Sequence, residues 1–231
     1  MTIRNWLKFF FTTLFIGGAT TGIFGFIVRW DEFQPYFTSF NIISILSTFI
    51  WFVLVGFLFS VISQVIFFAY LMVHQLAIGV LRSLSLWNGV QFVLIAIALF
   101  DLIYFRFERF AQPGESILSY IALAVFILMI GIITAYFKVK QTKKSMFIPT
   151  LFFMVVGTIL AWVTSLRVDE RGWVYIMLFT LLICNAYQLL ALPSYNERSA
   201  QERAERIKRS GGEQRKKPLR SGQKQELTLK K

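Results

Sequence analysis

Apolar residues in this chain come in long blocks, and polar residues are confined to the short intervals between them and to the C-terminal end. A bilayer core about 30 Å thick is crossed by roughly 20 apolar residues at about 1.5 Å rise per residue in a helix. Six blocks meet that length, and they predict spans over residues 7–28, 45–71, 86–105, 117–137, 146–166 and 173–192. Arg4 and Lys8 open the first block and Trp30 closes it as an interfacial aromatic. A secretory signal peptide is the rival reading of that start. The apolar stretch is longer than a signal h-region and no small-x-small cleavage site follows it, so a retained anchor is expected.

The stretch from Ile42 to Phe105 is interrupted only by scattered polar residues, chiefly Gln64, His74, Gln75, Arg82, Asn88, Gln91 and Asp101. Two spans fit it best, joined by residues 74–85. Residues 42–73 as a single helix would reach about 48 Å and would have to tilt or protrude. The other intervals carry turn and charge signals. Residues 29–40 read as a loop, Gln112-Pro113-Gly114-Glu115 as a turn, Lys138–Lys144 as a basic loop and residues 167–172 as a tight connection. Pro149 falls in the first turn of the fifth span, where proline is tolerated, and Pro193 closes the sixth. Beyond it, Ser199-Ala200-Gln201-Glu202 reads as a capping box, predicting a short helix over 200–209 ended by Gly211-Gly212. The remainder of the 194–231 tail is polar and basic and is expected to be disordered. The fold class is therefore all-α integral membrane: a six-helix transmembrane bundle over residues 1–193 followed by a basic tail.

Composition supports this reading. Of 231 residues 56% are hydrophobic, 26 are Phe and only 16% are charged, against about 25% charged in soluble domains. That much apolar surface cannot be hidden in a soluble core of this size. The lone cysteine, Cys184, excludes a disulfide within the chain and a cysteine-based metal site.

Charge orients the bundle. With six spans, the two termini and alternate loops share one side, and that side carries 19 of the 24 Lys and Arg residues. The positive-inside rule places it, with both termini, in the cytoplasm of a cell membrane. A third span between residues 42 and 105 would put either the lysine loop or the N-terminus on the wrong side.

Candidate chemistry is sparse. Asp101 is the one acidic residue within an apolar block, about 7.5 Å by helical rise from Arg106 at the span's end. It reads as an interfacial carboxylate; an ion or proton site would need a second buried ionisable group, and none accompanies it. His74, Arg82, Lys138, Lys140, Lys143 and Lys144 are candidates for contact with a partner or with anionic lipid headgroups, against a background of ordinary interfacial placement. A lone histidine is not a metal site. Gly18 and Gly22 form a GxxxG pair that Gly25 extends, a candidate close-packing face within the bundle or toward a partner helix. Asn185 and Gln188, like Asn88 and Gln91, are candidate buried amides that bond between helices or line a polar pocket. No HExxH, GxSxG or phosphate-binding glycine loop occurs. Neither an enzyme nor a cofactor is expected, and a tail without interleaved aromatics is not expected to bind nucleic acid.

The layout resembles a known family, the KinB-signalling pathway activation (KbaA) proteins of spore-forming bacteria. The resemblance lies in Arg4-Asn5-Trp6 followed by Phe9-Phe10-Phe11, the Gly17-Gly18 span, Gly25-Phe26 through Trp30, the six short-looped spans and the exit Leu192-Pro193-Ser194-Tyr195. It covers about residues 1–200 and leaves the tail beyond Arg209 unexplained. It implies a non-enzymatic membrane protein that supports activation of a membrane sensor histidine kinase in the sporulation phosphorelay. It supplies no catalytic residues. The Gly18/Gly22/Gly25 face and the Lys138–Lys144 loop are then the first places to look for kinase contact. The competing expectation is the substrate-binding component of a vitamin or metal uptake transporter, a six-helix chain of similar size that needs a polar or aromatic pocket near its outer face.

Overall fold

The structure, a computed structural model, describes residues 1–111, 116–162 and 171–216. The described residues are helical apart from short connections. In chain order the helices are α1 (Ile3–Val28), α2 (Trp30–Thr38), α3 (Ile42–Leu81), α4 (Leu84–Phe110), α5 (Ile117–Gln141), α6 (Phe147–Phe152), α7 (Thr158–Trp162) and α8 (Arg171–Lys216). A 3-10 turn, Lys144–Met146, leads into α6, and a π-helical segment, Phe153–Gly157, joins α6 to α7. Six helical stretches among the described residues are long and apolar enough to cross a membrane, the fifth running from Lys144 to Trp162.

The elements differ from the sequence reading where local chemistry outweighs pattern. Residues 30–38, read as loop, form α2. Asp31 and Glu32 lie in its first turn, where negative charge meets the positive helix end, and Glu32 Oε2 pairs with Arg29 Nε at 2.6 Å. Phe33 and Phe37 then pack edge-on against Phe26. α3 runs for 40 residues, about 60 Å by helical rise, well past the predicted end at residue 71. It stops at Arg82, whose φ of 51° is left-handed, and Ser83 Oγ caps α4 by accepting from Leu86 N at 3.3 Å.

α8 departs furthest. It does not end at Pro193, nor does a separate helix begin at residue 200; one helix continues to Lys216 through Gly211 and Gly212. Residues 197–209 are rich in Glu, Arg, Gln and Ala, good helix formers. The expected turn at residues 112–115, the end of the fifth span beyond Trp162, most of the 167–172 connection and the tail after Lys216 lie outside the described residues.

α1, α3 and α8 pack against one another as a three-helix unit, against which α5 and the broken α6–α7 span close. The seam between α1 and α3 is tight: a Cβ on Gly56 would lie 2.6 Å from the carbonyl oxygen of Gly17. Phe9, Phe67, Phe153, Met154, Trp162, Leu178 and Leu181 are fully buried in the interior. Trp162 ties α7 to α8 by donating Nε1–H to the Val174 carbonyl at 2.7 Å. The outer surface is apolar, with Phe15, Leu58, Val65, Phe92, Ile97, Leu118 and Leu160 all exposed. A surface of this kind is stable in hydrocarbon and not in water.

Candidate functional site

The glycine face predicted from sequence is occupied within the chain. Gly18, Gly22 and Gly25 lie on α1, and a Cβ at each would meet Phe57, Phe49 and Phe52 of α3 at 2.5–2.6 Å. The three Phe rings fill the space the missing side chains leave. Two other glycines, Gly79 near the end of α3 and Gly89 on α4, have no heavy atom within 4 Å of a Cβ position.

Asn185 and Gln188 come together with residues the sequence reading did not assemble. They lie one turn apart on α8, are at most 1% exposed, and face Ser60, Ser63 and Gln64 of α3. Ser63 Oγ donates to Asn185 Oδ1 at 2.7 Å and accepts from Gln188 Nε2 at 2.6 Å. Asn185 Nδ2 donates to Thr158 Oγ1 at 2.9 Å, where the π-helical segment ends. Gln64 Nε2 reaches Ser60 Oγ at 3.3 Å, and Ser60 Oγ donates to the Thr13 carbonyl of α1 at 2.9 Å. Thr21 and Thr180 share a further bond of 2.8 Å between α1 and α8. In an apolar interior each such bond replaces a costly unpaired polar group, so the network fixes the rotation of α1, α3, α7 and α8 about their axes. The signal was present in the sequence: Ser60, Ser63 and Gln64 are spaced i, i+3 and i+4, one helix face. Gln64 Oε1 and Gln188 Oε1 find no partner among the described residues.

Asn88 and Gln91 do not join this network. They lie on α4 near the α3–α4 turn, where Asn88 Oδ1 finds no partner among the described residues and Gln91 joins a second cluster. Gln91 Nε2 contacts Tyr70 Oη at 3.4 Å, and Tyr70 donates to the Pro149 carbonyl at 2.9 Å. Trp87 Nε1 donates to His74 Nδ1 at 2.9 Å. His74 is thus engaged inside the chain as an acceptor. Arg82 is exposed at the turn.

The four lysines divide. Lys138 is 7% exposed and donates from Nζ to the Leu189 carbonyl of α8, an internal contact. Lys140, Lys143 and Lys144 are exposed, with Lys140 Nζ 4.5 Å from the centroid of the Tyr136 ring. Asp101 is exposed on α4, apart from both polar clusters.

At the same end of the bundle as these lysines, the start of α1 grips α8. Asn5 Nδ2 donates to Ser199 Oγ at 3.1 Å, Thr2 Oγ1 donates to Glu202 Oε2 at 2.9 Å, and Arg4 pairs with the same carboxylate. Arg203 Nη2 donates to the Met1 carbonyl at 3.1 Å. The Arg4 and Thr2 hydrogen bonds hold the Glu202 carboxyl below its ordinary pKa. Among the described residues no group of three or more His, Cys, Asp or Glu side chains is placed to hold a metal ion.

The arrangement is one of helix-fixing bonds and an exposed basic end. Its sequence matches the family model described as KbaA, KinB-signalling pathway activation in sporulation, over residues 17–195. It is also 47% identical over 195 residues to the KinB-signaling pathway activation protein of Bacillus subtilis (strain 168), a match that spans 84% of this chain and 98% of that protein. No solved structure matches. Pro193 and every residue of the Ser60–Gln188 network except Thr13 fall inside the matched segment, and the chain belongs to the KbaA family.

Proposed function

We propose that this chain is a multi-pass cell-membrane protein with both termini in the cytoplasm, and that it supports activation of a membrane sensor histidine kinase in sporulation by direct contact. The observation that carries the reading is the family match over residues 17–195, which includes all six apolar helices in whole or part. The contact surface follows from what is left unoccupied. The small-residue face of α1 is filled by Phe49, Phe52 and Phe57, and Lys138 is committed to α8. Lys140, Lys143 and Lys144 remain exposed at the end of the bundle that carries the grip between α1 and α8. A basic loop at a membrane surface attracts anionic lipid headgroups and acidic protein surfaces alike, at about 1 kcal/mol per Lys near the lipid. We assign these three lysines to the kinase's cytoplasmic region, with lipid as background.

The test replaces Lys140, Lys143 and Lys144 with Gln together and leaves Lys138 in place. Kinase-dependent sporulation output is expected to fall sharply at unchanged protein level, while a C-terminal reporter confirms unchanged topology. A photo-crosslinker at Lys143 should trap the kinase in native membranes. Full output from the triple variant rules out the loop as the contact; capture of an ATPase-containing transporter instead of a kinase removes the signalling reading altogether.

A further inference from the structure

Pro193 lies well inside α8. Proline has no N–H, so the carbonyl four residues earlier, that of Leu189, loses its helical donor. Leu189 is only 5% exposed, and a buried carbonyl without a partner is costly. The missing donor comes from another helix: Lys138 Nζ, at the end of α5, donates to the Leu189 oxygen. Lys138 is itself buried, and among the described residues no carboxylate pairs with it. Its own position is held by Thr142, whose Oγ1 donates to the Lys138 carbonyl at 2.7 Å. A charged donor and a proline-orphaned acceptor thus meet where α8 leaves the apolar bundle.

We propose that Lys138 and Pro193 form a latch: Lys138 supplies the hydrogen bond that Pro193 removes, and so sets the direction in which residues 194–216 of α8 leave the bundle. Ordinary helix bonds are shared along a ladder and open cooperatively. This one joins two helices through a single side chain, so it opens without unfolding either. When it opens, the bond-deficient turn at residues 189–193 is the point about which the rest of α8 swings, restrained then by contacts with α1, among them Tyr195 against Phe9 and the grip at Ser199, Glu202 and Arg203. The kinase reading is not needed for this proposal.

The sign of the interaction makes it testable, because Pro193→Ala restores the N–H and makes Lys138 redundant. Spin labels at Gln141 and Arg206, both exposed, in a Cys184→Ser background in nanodiscs, report the distance from the end of α5 to the outgoing part of α8. Lys138→Met is expected to broaden the distance distribution and shift its mean. Pro193→Ala alone and Lys138→Met/Pro193→Ala are expected to keep the parental distribution, as is Lys138→Arg, which retains a donor. An unchanged distribution for Lys138→Met overturns the latch. Equal broadening with and without Pro193 also overturns it, since Lys138 then acts through something other than the orphaned carbonyl. If Lys138→Met does not accumulate in membranes, Pro193→Ala must restore it; failure to do so counts against the latch.

Discussion

Gly17 and Gly56 show how much one missing methyl group decides in this protein. A Cβ on Gly17 would lie 2.6 Å from Ser60 Cβ and 3.0 Å from the Gly56 carbonyl oxygen, and one on Gly56 would meet the Gly17 oxygen and Thr21. Backbone atoms cannot step aside as a side chain can. Gly17→Ala or Gly56→Ala should therefore push α1 from α3 and destabilise the bundle by about 1–3 kcal/mol, the usual cost of overpacking. Gly89→Ala is the control, because open space surrounds that position. There the change should be neutral or stabilising by about 0.5–1 kcal/mol through helix propensity. Thermal unfolding of the three variants in one detergent checks both expectations, and equal loss at Gly17 and Gly89 would remove the close-packing account. The stripe of small residues was legible in the sequence; its partner was not. Nothing in the spacing says whether such a face waits for a second chain or for three phenylalanines on the next helix.

At the scale of the element, α8 ties the bundle interior to its basic end, and the two halves are held by different physics. Inside, Asn185 and Gln188 bond to Ser63 where water does not compete. Outside, Glu202 with Arg4 and Thr2 forms a half-buried grip that depends on charge. Arg4 and Thr2 lower the Glu202 pKa in the folded state. The carboxylate's contribution is therefore full above the ordinary glutamate value, about 4.3, and is lost as pH falls through the lower folded value. Hydrogen exchange or limited proteolysis of residues 196–209 should accordingly show protection that is flat from neutral pH to about pH 5 and falls in stronger acid. Glu202→Gln should weaken that protection at pH 7 and remove its acid dependence. A Glu202→Gln profile that still falls in the same acid range would assign the effect to another group. The sequence reading saw Glu202 as half of a local capping box. It is instead bonded to residues about 200 positions away, a contact that no local pattern carries.

For the whole molecule, the number of long apolar helices was legible because each block satisfies bilayer length by itself, whereas their ends were not. α3 and α8 run beyond their predicted spans because a helix stops where its chemistry stops it, at the left-handed Arg82 in one case, and passes Pro193 in the other because Lys138 supplies the missing donor. The buried amides were visible as types but not as partners, since the pairing of Ser63 with Gln188 depends on how α3 and α8 are rotated. What the pattern still commits to is direction. An even number of crossings brings the two termini to one side, and the contacts of Met1, Thr2, Arg4 and Asn5 with residues 199–203 require the same. By the positive-inside rule, the excess of Lys and Arg on that side predicts that it faces the cytoplasm, the orientation proposed above. Reporter fusions after Lys144 and after Lys216 should therefore behave alike, active for a cytoplasmic reporter and silent for one that matures only outside. A fusion after Thr38 should do the reverse. Removing only part of the charge should leave the topology in place: replacing Lys140, Lys143 and Lys144 with Gln leaves Arg4, Lys8 and the basic tail to hold the orientation, so the fusion after Lys216 should stay cytoplasmic. If, in the unaltered protein, the fusion after Lys216 reports from the outer face while a fusion at the N-terminus reports from the cytoplasm, the count of crossings is odd, and the grip between α1 and α8 cannot form in a membrane.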